Sequence, residues 1–368
     1  MRLLIGLITP GQAGGIRAAE ERFIAECRQQ GVQVTVFEYG GRSAEETAYQ
    51  KVRGRILDWI RFLRLVRRER PDLIELNSAL TRRALLRDVG YAALARLTDI
   101  PLFVKMHGTD ADILSKANAF WQWAVRFVTR SAGGVGLLSE EERQNFVRAG
   151  ISGGNLHVVK NAVDWQRFHR DNGVPDRPSS PLRLLFIARF IPAKGLLDVL
   201  EAVRIILDHG KNVLLDCVGD GPQALEARER AQALGITGNV TFTGYIPERE
   251  TPLHYKKADV LVLPTYHQEG FPMSVFQSAA AGLGIITTKA RASADYLREP
   301  EHCLWVEPKN PGMLAEKIMM LMDHQELLAG MARNNKQLAR EFSTEKVTAE
   351  YLKVFVEIAQ HRAQESAQ

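Results

Sequence analysis

The stretch 267–288, HQEGFPMSVFQSAAAGLGIITT, holds the residues best suited to chemistry in this sequence. Glu269 and Gly270 stand directly before a run of helical character that starts at Pro272, where the missing N–H of proline costs nothing. The free N–H groups and positive dipole end of that helix, predicted over 272–281, would face the preceding loop. Glycine would let a ligand approach the backbone closely, and the acid could accept hydrogen bonds from sugar hydroxyls. The stretch therefore predicts a diphosphate site, with an ordinary solvated loop acid as the alternative.

A second candidate anion site is ARFIPAKG at 188–195, which follows an apolar run typical of a buried strand. Arg189 lies at the predicted end of that strand, and Lys194 lies just before the next predicted helix. A guanidinium offers a bidentate fork and an ammonium a point charge, so the two side chains could clamp a diphosphate leaving group. The alternative is a pair of solvated loop cations, which we disfavour because the two are expected to share a cleft face with the Glu269 loop.

The loop VGDGPQA at 218–224 matches the spacing G-x-G-x-x-A of a dinucleotide-binding turn, with Gly219 as its first glycine and Pro222 at a predicted helix start. That fingerprint expects an acid at the end of the following strand, where it would bind a ribose hydroxyl. The following apolar run, VTFTG at 240–244, supplies no acid. The glycines are therefore weak grounds for an NAD-type oxidoreductase, which stays open as an alternative.

Two loops of the first half also follow apolar runs. PGQAGG at 10–15 puts Gly14 and Gly15 at a predicted helix start, where backbone amides could meet a phosphate; a tight turn is the alternative. KMHGTDAD at 105–112 puts His107 at a predicted strand end, where it could bond a sugar hydroxyl or transfer a proton. A hydrogen-bonded structural histidine accounts equally well for this residue alone.

Metal ligands are not predicted. The D-x-D sequence from Asp110 to Asp112 resembles a metal-binding motif, but such short matches are frequent by chance, and we interpret Asp112 as a helix N-cap. The cysteines, Cys27, Cys217 and Cys303, are scattered and form no C-x-x-C pair. Their number and spacing argue against a zinc cluster or a disulfide framework and suit a reducing, cytoplasmic setting.

The candidate loops are positioned by an alternation of short apolar, β-rich runs with stretches of helical periodicity. Such alternation favours parallel sheets with right-handed crossovers. In the first half the predicted strands are RLLIGLI, VQVTVFE, DLIEL, PLFVKM and GGVGLL, with helices near 16–30, 52–69, 82–97 and 114–131. After a polar, proline-rich stretch the alternation restarts, with strands at 182–188, 213–219, 240–244, 259–264 and 284–288.

The sequence is therefore expected to form an α/β protein with two Rossmann-like domains, whose parallel sheets face each other across a cleft. At 368 residues it is long for one domain and comfortable for two. We place the domains at 1–166 and 182–342, with a linker at 167–181 and a C-terminal helix, at 343–368, that crosses back to the first domain. Ligands of such sheets bind at the carboxyl ends of strands, which is where the candidate residues fall.

Charge is spread unevenly along the sequence. Residues 1–170 hold 26 Lys and Arg against 18 Asp and Glu, whereas the remainder holds 22 against 25. A basic first half suggests an anionic partner, such as the inner face of a membrane or a phosphorylated substrate; we expect no nucleic acid partner. No apolar run approaches the roughly 18 residues of a membrane span.

The stretch 51–70, KVRGRILDWIRFLRLVRRER, is predicted to be a basic amphipathic helix. We interpret its apolar stripe as packed against the core, with the arginines on a solvated face. The alternative is a helix that lies on an anionic lipid surface. The stripe comprises Val52, Ile56, Trp59, Ile60, Leu63 and Val66.

Taken together, these loops resemble the family 4 retaining glycosyltransferases of GT-B fold, over nearly the full chain. EGFPMSVFQSAAAGLGIITT is similar to that family's stretch in which two glutamates, separated by seven residues, precede an alanine-rich helix, a glycine and a strand. ARFIPAKG is similar to its diphosphate clamp, and VGDGP, VTFTGYI, KNAVD, HGTD and the early Gly-Gly fall in its order. The resemblance implies transfer of a hexosyl unit from a UDP- or GDP-sugar to a glycan or lipid-linked acceptor, with retention and without a metal or other cofactor.

The resemblance also implies roles for the residues that match. Arg189 and Lys194 would hold the nucleotide diphosphate, Glu269 would bond hydroxyls of the donor sugar, and His107 would touch that sugar near the reaction centre. These four are the predicted catalytic residues. Further donor contacts, with the nucleobase beside Tyr245 and Ile246, are implied for Gly14, Gly15, Gly219, Tyr245, Ile246, Gly270, Phe271, Pro272, Met273, Ser274 and Gln277.

Gln277 departs from the family. It stands where relatives usually have a second glutamate that accepts hydrogen bonds from both ribose hydroxyls. A glutamine carbonyl can still accept, but the amide adds donors and carries no charge. We therefore expect a weaker or altered ribose contact. A non-catalytic relative that binds a nucleotide-sugar remains a second alternative.

Overall fold

The computed structural model of the chain describes residues 1–8, 15–39, 47–115, 117–151, 153–169, 180–267 and 269–367. Contacts between residues group the chain into two compact units, each built on one parallel sheet. The first unit comprises Met1–Ala162, Gln268–Phe271 and Thr344–Gln368. The second comprises Val163–His267 and Pro272–Ser343. The predicted architecture of two Rossmann-like units is therefore confirmed.

The sheet of the first unit contains β1 (Arg2–Ile8), β2 (Gln33–Tyr39), β3 (Leu73–Leu80), β4 (Leu102–Thr109), β5 (Gly134–Leu137) and β6 (Leu156–Val158). These six strands are parallel, in the order β2-β1-β3-β4-β5-β6. Most residues of β1, β3 and β4 are buried, which explains their continuous apolar runs. Because β1 lies between β2 and β3, the strand order reverses there, and a ligand site is expected at the carboxyl ends of these strands.

The helices that follow these strands are α1 (Gly15–Gln29), α2 (Ala48–Glu69), α3 (Arg82–Arg96), α4 (Ala111–Ser115), α5 (Ala119–Ser131) and α6 (Glu140–Arg148). The single helix predicted at 114–131 is in fact divided between α4 and α5. The division has a capping cause, because the side chain of Asn118 accepts a hydrogen bond from the N–H of Trp121 at 3.3 Å and so starts α5.

Only part of the apolar stripe predicted for α2 packs against the core, at Trp59, Leu63 and Val66. The buried face of the helix follows a four-residue spacing, through Asp58, Phe62 and Val66. Three members of the predicted stripe lie on the flank of that face and are 62%, 48% and 39% exposed: Val52, Ile56 and Ile60. The interpretation of the whole stripe as core is therefore wrong, and the first half of α2 presents apolar side chains to solvent.

The sheet of the second unit contains β7 (Leu182–Ile187), β8 (Val213–Val218), β9 (Val240–Gly244), β10 (Val260–Leu263), β11 (Gly284–Thr287) and β12 (Leu304–Trp305). These six strands are also parallel, in the order β12-β11-β10-β7-β8-β9. The strand order reverses at β7, which lies between β10 and β8. The carboxyl ends of these strands are accordingly the expected ligand edge.

The helices of the second unit are α7 (Trp165–Phe168), α8 (Leu196–Asp208), α9 (Ala224–Ala233), α10 (Thr251–Lys257), α11 (Met273–Ala281), α12 (Arg291–Tyr296), α13 (Pro311–Asp323) and α14 (Gln325–Ala339). Pro272 is the N-cap of α11, one residue before the helix begins. Helix α9 begins at Ala224, two residues after Pro222, where the sequence predicted its start.

The C-terminal helix α15 (Thr344–Ala367) belongs by its contacts to the first unit. The rings of Tyr351 and Phe355 lie 5.2 and 6.3 Å from the ring of Phe23 on α1. Phe355 also lies 5.0 Å from Phe103 on β4. Aromatic pairs at such distances stabilise a packed helix beyond the area they bury. Of the predicted linker at 167–181, residues 170–179 lie outside the described residues.

Candidate functional site

The carboxyl ends of β7, β8 and β9 enclose a pocket of about 390 Å³ in the second unit. Four predicted donor-binding residues line it: Arg189, Gly219, Tyr245 and Ile246. Tyr245 is 78% exposed, so its ring is open to a flat ligand, while Val218 adds an apolar wall. The volume falls within the range of about 300–1,000 Å³ that small-molecule sites occupy. The strand ends thus bring together residues that are distant in sequence.

The glycines of the β8 loop have a packing cause. A Cβ on Gly219, whose φ is +138°, would lie 2.0 Å from the carbonyl oxygen of Ala188. A Cβ on Gly221 would lie 2.5 Å from the carbonyl oxygen of Phe190, in the loop that carries Arg189. These close approaches account for the glycine spacing without a dinucleotide, so the spacing gives no support to an NAD-type oxidoreductase.

Lys194 lies at the reversal of strand order between β7 and β10. It ends a short 3-10 helix, Pro192–Lys194, and the next residue, Gly195, has φ +75° and precedes α8. A Cβ on Gly195 would lie 2.8 Å from the carbonyl oxygen of Pro264, which follows β10. Lys194 is only 5% exposed, whereas Arg189 is exposed and lines the pocket. The two cations predicted to act together share a loop but have different surroundings.

Gln277 on α11 is buried, and its side-chain carbonyl is already engaged. Its Oε1 accepts a hydrogen bond from the hydroxyl of Tyr255 at 2.8 Å. Tyr255 is fully buried, and this burial raises the pKa of its phenol far above the usual range, so it remains a donor. The Gln277 carbonyl, predicted to accept from ribose, therefore has one of its two lone pairs engaged within the protein.

The segment Gln268–Phe271, which contains the predicted acid Glu269, belongs by its contacts to the first unit. A Cβ on Gly270 would lie 3.0 Å from the Cβ of Leu138 and 3.1 Å from Oε2 of Glu142. The carboxylate of Glu142 is buried and accepts from the N–H of Leu138 at 2.9 Å. A side chain at position 270 would therefore be tightly packed against these neighbours, whether or not a ligand approaches the backbone.

His107 lies near the carboxyl end of β4 with its ring buried. Its Nε2 lies 2.6 Å from Oδ1 of Asn77 on β3 and 3.6 Å from Oε1 of Glu20 on α1. Burial, followed by the positive charge of Lys105, holds the pKa of His107 well below its usual range. The ring is therefore neutral, and it is a hydrogen-bonded histidine as well as a candidate ligand contact.

A buried charge cluster lies behind His107. The Nζ of Lys105 is 2.6 Å from Oε1 of Glu20, and both side chains are almost fully buried. Glu75 on β3 is also buried, and within the described part of the chain neither of its carboxyl oxygens has a hydrogen-bond partner. Burial, followed by the charge of Glu20, raises the pKa of Glu75 well above 4.5. Burial therefore favours the neutral form of the Glu75 carboxyl group.

Sequence reasoning missed four polar residues of this region, Glu20, Asn77, Glu75 and Lys105. A usable signal was present, because LIELN and LFVKM each place a charged side chain inside an apolar run. Parallel strands are buried on both faces, and a buried charge needs a partner. Such a residue in a predicted central strand therefore indicates a buried polar network.

Gly14, Gly15 and Asp112 are predicted to lie at helix starts in the first half of the sequence. Gly14 lies outside the described residues, and Gly15 is the first residue of α1. Asp112 lies inside the first turn of α4, and its N–H donates to Oδ1 of Asp110 at 3.0 Å. Asp110, and not Asp112, therefore caps this helix. Among the described residues there is no group of three or more His, Cys, Asp or Glu side chains that could hold a metal ion.

The surface of the first unit carries exposed aromatic rings on α5. Phe120 and Trp123 are about half exposed, and Trp123 stacks on Phe127 with ring centroids 5.4 Å apart. The guanidinium of Arg96 lies 5.8 Å from the centre of the Phe127 ring, within reach of a cation–π contact. None of the helices in the described ranges has the length and apolar character needed to span a bilayer.

The comparisons with known proteins agree with the fold. The family profile described as "Glycosyl transferase 4-like domain" matches residues 8–162, and that described as "Glycosyl transferases group 1" matches residues 168–338. A 2-deoxystreptamine glucosyltransferase of Streptomyces kanamyceticus is 26% identical over 270 residues, which is 67% of this chain and 68% of the relative. An N,N'-diacetylbacillosaminyl-diphospho-undecaprenol alpha-1,3-N-acetylgalactosaminyltransferase of Campylobacter jejuni is 27% identical over 172 residues, 47% of this chain and 44% of that protein.

Solved structures share the fold at low sequence identity. Alr3699/HepE of Anabaena in complex with UDP has a TM-score of 0.76 and 17% identity, covering 97% of this chain and 100% of that chain. The two family profiles span most of both units, and the strand orders are those of paired Rossmann-like domains. The chain therefore belongs to the family 4 glycosyltransferases of GT-B fold.

Proposed function

We propose that the protein is a retaining glycosyltransferase that moves a hexosyl unit from a nucleoside-diphosphate sugar to a hydroxyl of a glycan or lipid-linked acceptor, without a metal ion. The observation that carries the proposal is the pocket at the ends of β7, β8 and β9, where Arg189, Gly219, Tyr245 and Ile246 come together. Its apolar wall and exposed tyrosine ring suit a flat base, and its arginine suits an adjoining phosphate.

The donor is proposed to be a UDP-sugar, with a GDP-sugar as the second choice. HepE, a protein of similar fold, has been solved with UDP and also with UDP-glucose. A relative from Campylobacter jejuni acts, by its name, on a sugar linked through diphosphate to undecaprenol. A lipid-linked acceptor would suit the basic charge of the first unit.

In this proposal the bond between the anomeric carbon and the diphosphate oxygen breaks as the nucleoside diphosphate leaves. Arg189 and Lys194 balance the negative charge that develops on the diphosphate, and the dipole at the start of α11 adds to their effect. The acceptor hydroxyl attacks the anomeric carbon from the same face, and its proton passes to an oxygen of the leaving phosphate. Glu269 and His107 hold hydroxyls of the sugar, so catalysis is mainly electrostatic and positional.

A second candidate function is binding of a nucleotide-sugar without transfer. Gln277 favours this candidate, because its carbonyl already accepts from Tyr255 at 2.8 Å. Ribose would then find fewer free acceptors here than beside a glutamate. The two candidates differ in turnover, since only the first releases a nucleoside diphosphate when an acceptor is present.

Calorimetric titration with UDP, GDP, ADP, dTDP and NAD, in the presence of EDTA, tests the donor-binding part. One nucleoside diphosphate is expected to bind without metal, and Arg189→Gln should weaken it by about tenfold to a hundredfold through the loss of charge-assisted hydrogen bonds. Arg183→Gln, an exposed residue near the opposite end of β7, is the matched control and should bind normally. Binding of NAD alone would overturn the proposal, and nucleotide binding without turnover would favour the second candidate.

We also propose that the first unit docks on an anionic membrane surface through α2. Support comes from its exposed apolar flank at Val52, Ile56 and Ile60 and from the excess of basic residues in the first 170 positions. A cation near an anionic lipid surface contributes about 1 kcal/mol, so neutralising three should weaken vesicle binding by roughly a hundredfold. The test variant replaces Arg64, Arg67 and Arg68 of α2 with glutamine. The control variant replaces three exposed cations of the second unit with glutamine: Arg249, Lys257 and Arg298. Equal binding by both sets would remove α2 from the account.

A further inference from the structure

One of the two imidazole nitrogens of His107, Nε2, lies close to two hydrogen-bond acceptors. Oδ1 of Asn77 lies 2.6 Å from Nε2, and Oε1 of Glu20 lies 3.6 Å from the same nitrogen. A carboxylate and an amide carbonyl only accept hydrogen bonds. Nε2 can therefore form a hydrogen bond with either oxygen only when it carries the proton and donates.

The orientation of the Asn77 amide is itself determined by the backbone. Nδ2 of Asn77 donates to the carbonyl oxygen of Gly6 on β1 at 3.1 Å, in a site where Asn77 is 1% exposed. A carbonyl oxygen accepts but cannot donate, so the amide nitrogen must face Gly6. Oδ1 must then face the ring of His107. The hydrogen bonds form a one-way chain from the ring nitrogen through the amide to the strand.

The charged groups beside the ring, Glu20 and Lys105, are compatible with a neutral imidazole that donates from Nε2. Glu20, from α1, is the carboxylate nearest Nε2, and its Oε1 is paired with the ammonium of Lys105 at 2.6 Å. Lys105, two residues before His107 on β4, opposes a positive charge on the ring, as does the burial of the ring. The ring therefore stays neutral, with one N–H and one lone pair.

We propose that Asn77 is a positioning residue that holds His107 as the Nε2–H tautomer, so that Nδ1 presents a lone pair to a hydroxyl of the sugar donor. This inference rests on the proposed function for the identity of the ligand, but the tautomer itself does not. Its consequence is that His107 accepts a hydrogen bond from the sugar and does not act as a cationic donor. His107 is thereby selective for a ligand group that can donate a hydrogen bond, such as a sugar hydroxyl.

The test is a two-bond proton–nitrogen NMR spectrum of protein labelled with ¹⁵N at histidine, with the His107 signals assigned by their loss in His107→Gln. The expected wild-type spectrum shows a protonated Nε2 and an unprotonated Nδ1 throughout the range from about pH 5 to 8, where a free imidazole would titrate. A protonated Nδ1, or an imidazolium within that range, would overturn the proposal without any variant.

Asn77→Ala removes the acceptor and should convert the His107 signals to a mixture of tautomers. Asn155→Ala is the control, because Asn155 also donates to backbone carbonyls of the first unit, at 2.9 and 3.0 Å, and has no contact with His107. With the donor that the protein turns over, Asn77→Ala should lower kcat by about tenfold to a hundredfold and change KM less. Unchanged tautomer signals in a folded Asn77→Ala would overturn the role of Asn77. Absence of any turnover in wild type would count against the proposed function alone.

Discussion

Two buried carboxyl groups of the first unit lie near one ammonium, and removing each should have a different effect on stability. Glu20 is paired with Lys105 at 2.6 Å, whereas Glu75 has no hydrogen-bond partner among the described residues. Glu75→Gln replaces a neutral acid with a neutral amide of similar shape, so the free energy of unfolding should be unchanged or higher at neutral pH. Glu20→Gln removes the counter-charge of a buried ammonium and should be strongly destabilising.

The size of the second effect follows from the burial of the pair. Breaking a buried ion pair by removing one partner costs about 3–5 kcal/mol. Each kcal/mol lowers the Tm of a unit of this size by about 2–4 °C, so a fall of roughly 6–20 °C is expected. In Glu20→Gln the nearby Glu75 can ionise and pair with Lys105, which places this variant at the low end. The double variant removes both carboxylates and should show the full loss.

The pH dependence separates the two roles further. Folding raises the pKa of Glu75 above its ordinary value of 4.5, so the folded protein binds this proton more tightly than the unfolded chain. The contribution of Glu75 to stability is fully present below pH 4.5 and is lost as pH rises through the folded pKa. Glu75→Gln should lack this loss. This loss of stability is measured by comparing thermal unfolding of the wild type and of Glu75→Gln, followed by circular dichroism between about pH 5 and 8. If Glu75→Gln were as destabilising as Glu20→Gln, Glu75 would be the ionised partner and the reasoning would fail.

Three further outcomes are expected. Gly219→Ala should abolish nucleotide binding in calorimetry, because the added Cβ would lie 2.0 Å from the carbonyl oxygen of Ala188. Gly238→Ala is the control and should bind the nucleotide normally, because its added Cβ would meet no atom within 4 Å. Equal affinities of the two variants would contradict this prediction. Tyr255→Phe should cost about 0.5–1.5 kcal/mol in denaturation and tighten nucleotide binding by freeing the Gln277 carbonyl; an unchanged affinity would place Gln277 outside the ribose site. Burial raises the pKa of the Cys27 thiol to about 12, so a thiol reagent should label it at neutral pH only after unfolding, and rapid labelling of native protein would refute that burial.

Local sequence patterns predicted the elements well where one physical cause dominates. The apolar run at 182–188 corresponds to β7, and the Pro272 start signal lies one residue from the start of α11. The prediction for α2 failed because a stripe of apolar residues does not say which part of it meets the sheet. Its buried face follows Asp58, Phe62 and Val66, and only the packed unit shows this.

The polar contacts of the candidate site were beyond sequence reasoning because they join residues that are distant along the chain. The orientation of His107 depends on Asn77, whose amide depends in turn on Gly6, 71 positions earlier. The hydroxyl that engages Gln277 comes from Tyr255, 22 positions away on another helix. The spacing of the β8-loop glycines is visible in the sequence, but their close packing against the neighbouring loop at Ala188 and Phe190 is visible only in the structure.

The central claim is that the pocket at the ends of β7, β8 and β9 serves a retaining, metal-independent sugar transfer. The most direct test is to supply UDP-glucose, and then other nucleotide-sugars, with candidate hydroxyl acceptors in EDTA, and to follow nucleoside diphosphate release together with the anomeric configuration of the product by NMR. The account predicts release of the nucleoside diphosphate and a product with the anomeric configuration of the donor. An inverted product, or turnover that stops in EDTA and returns with a divalent cation, would contradict it.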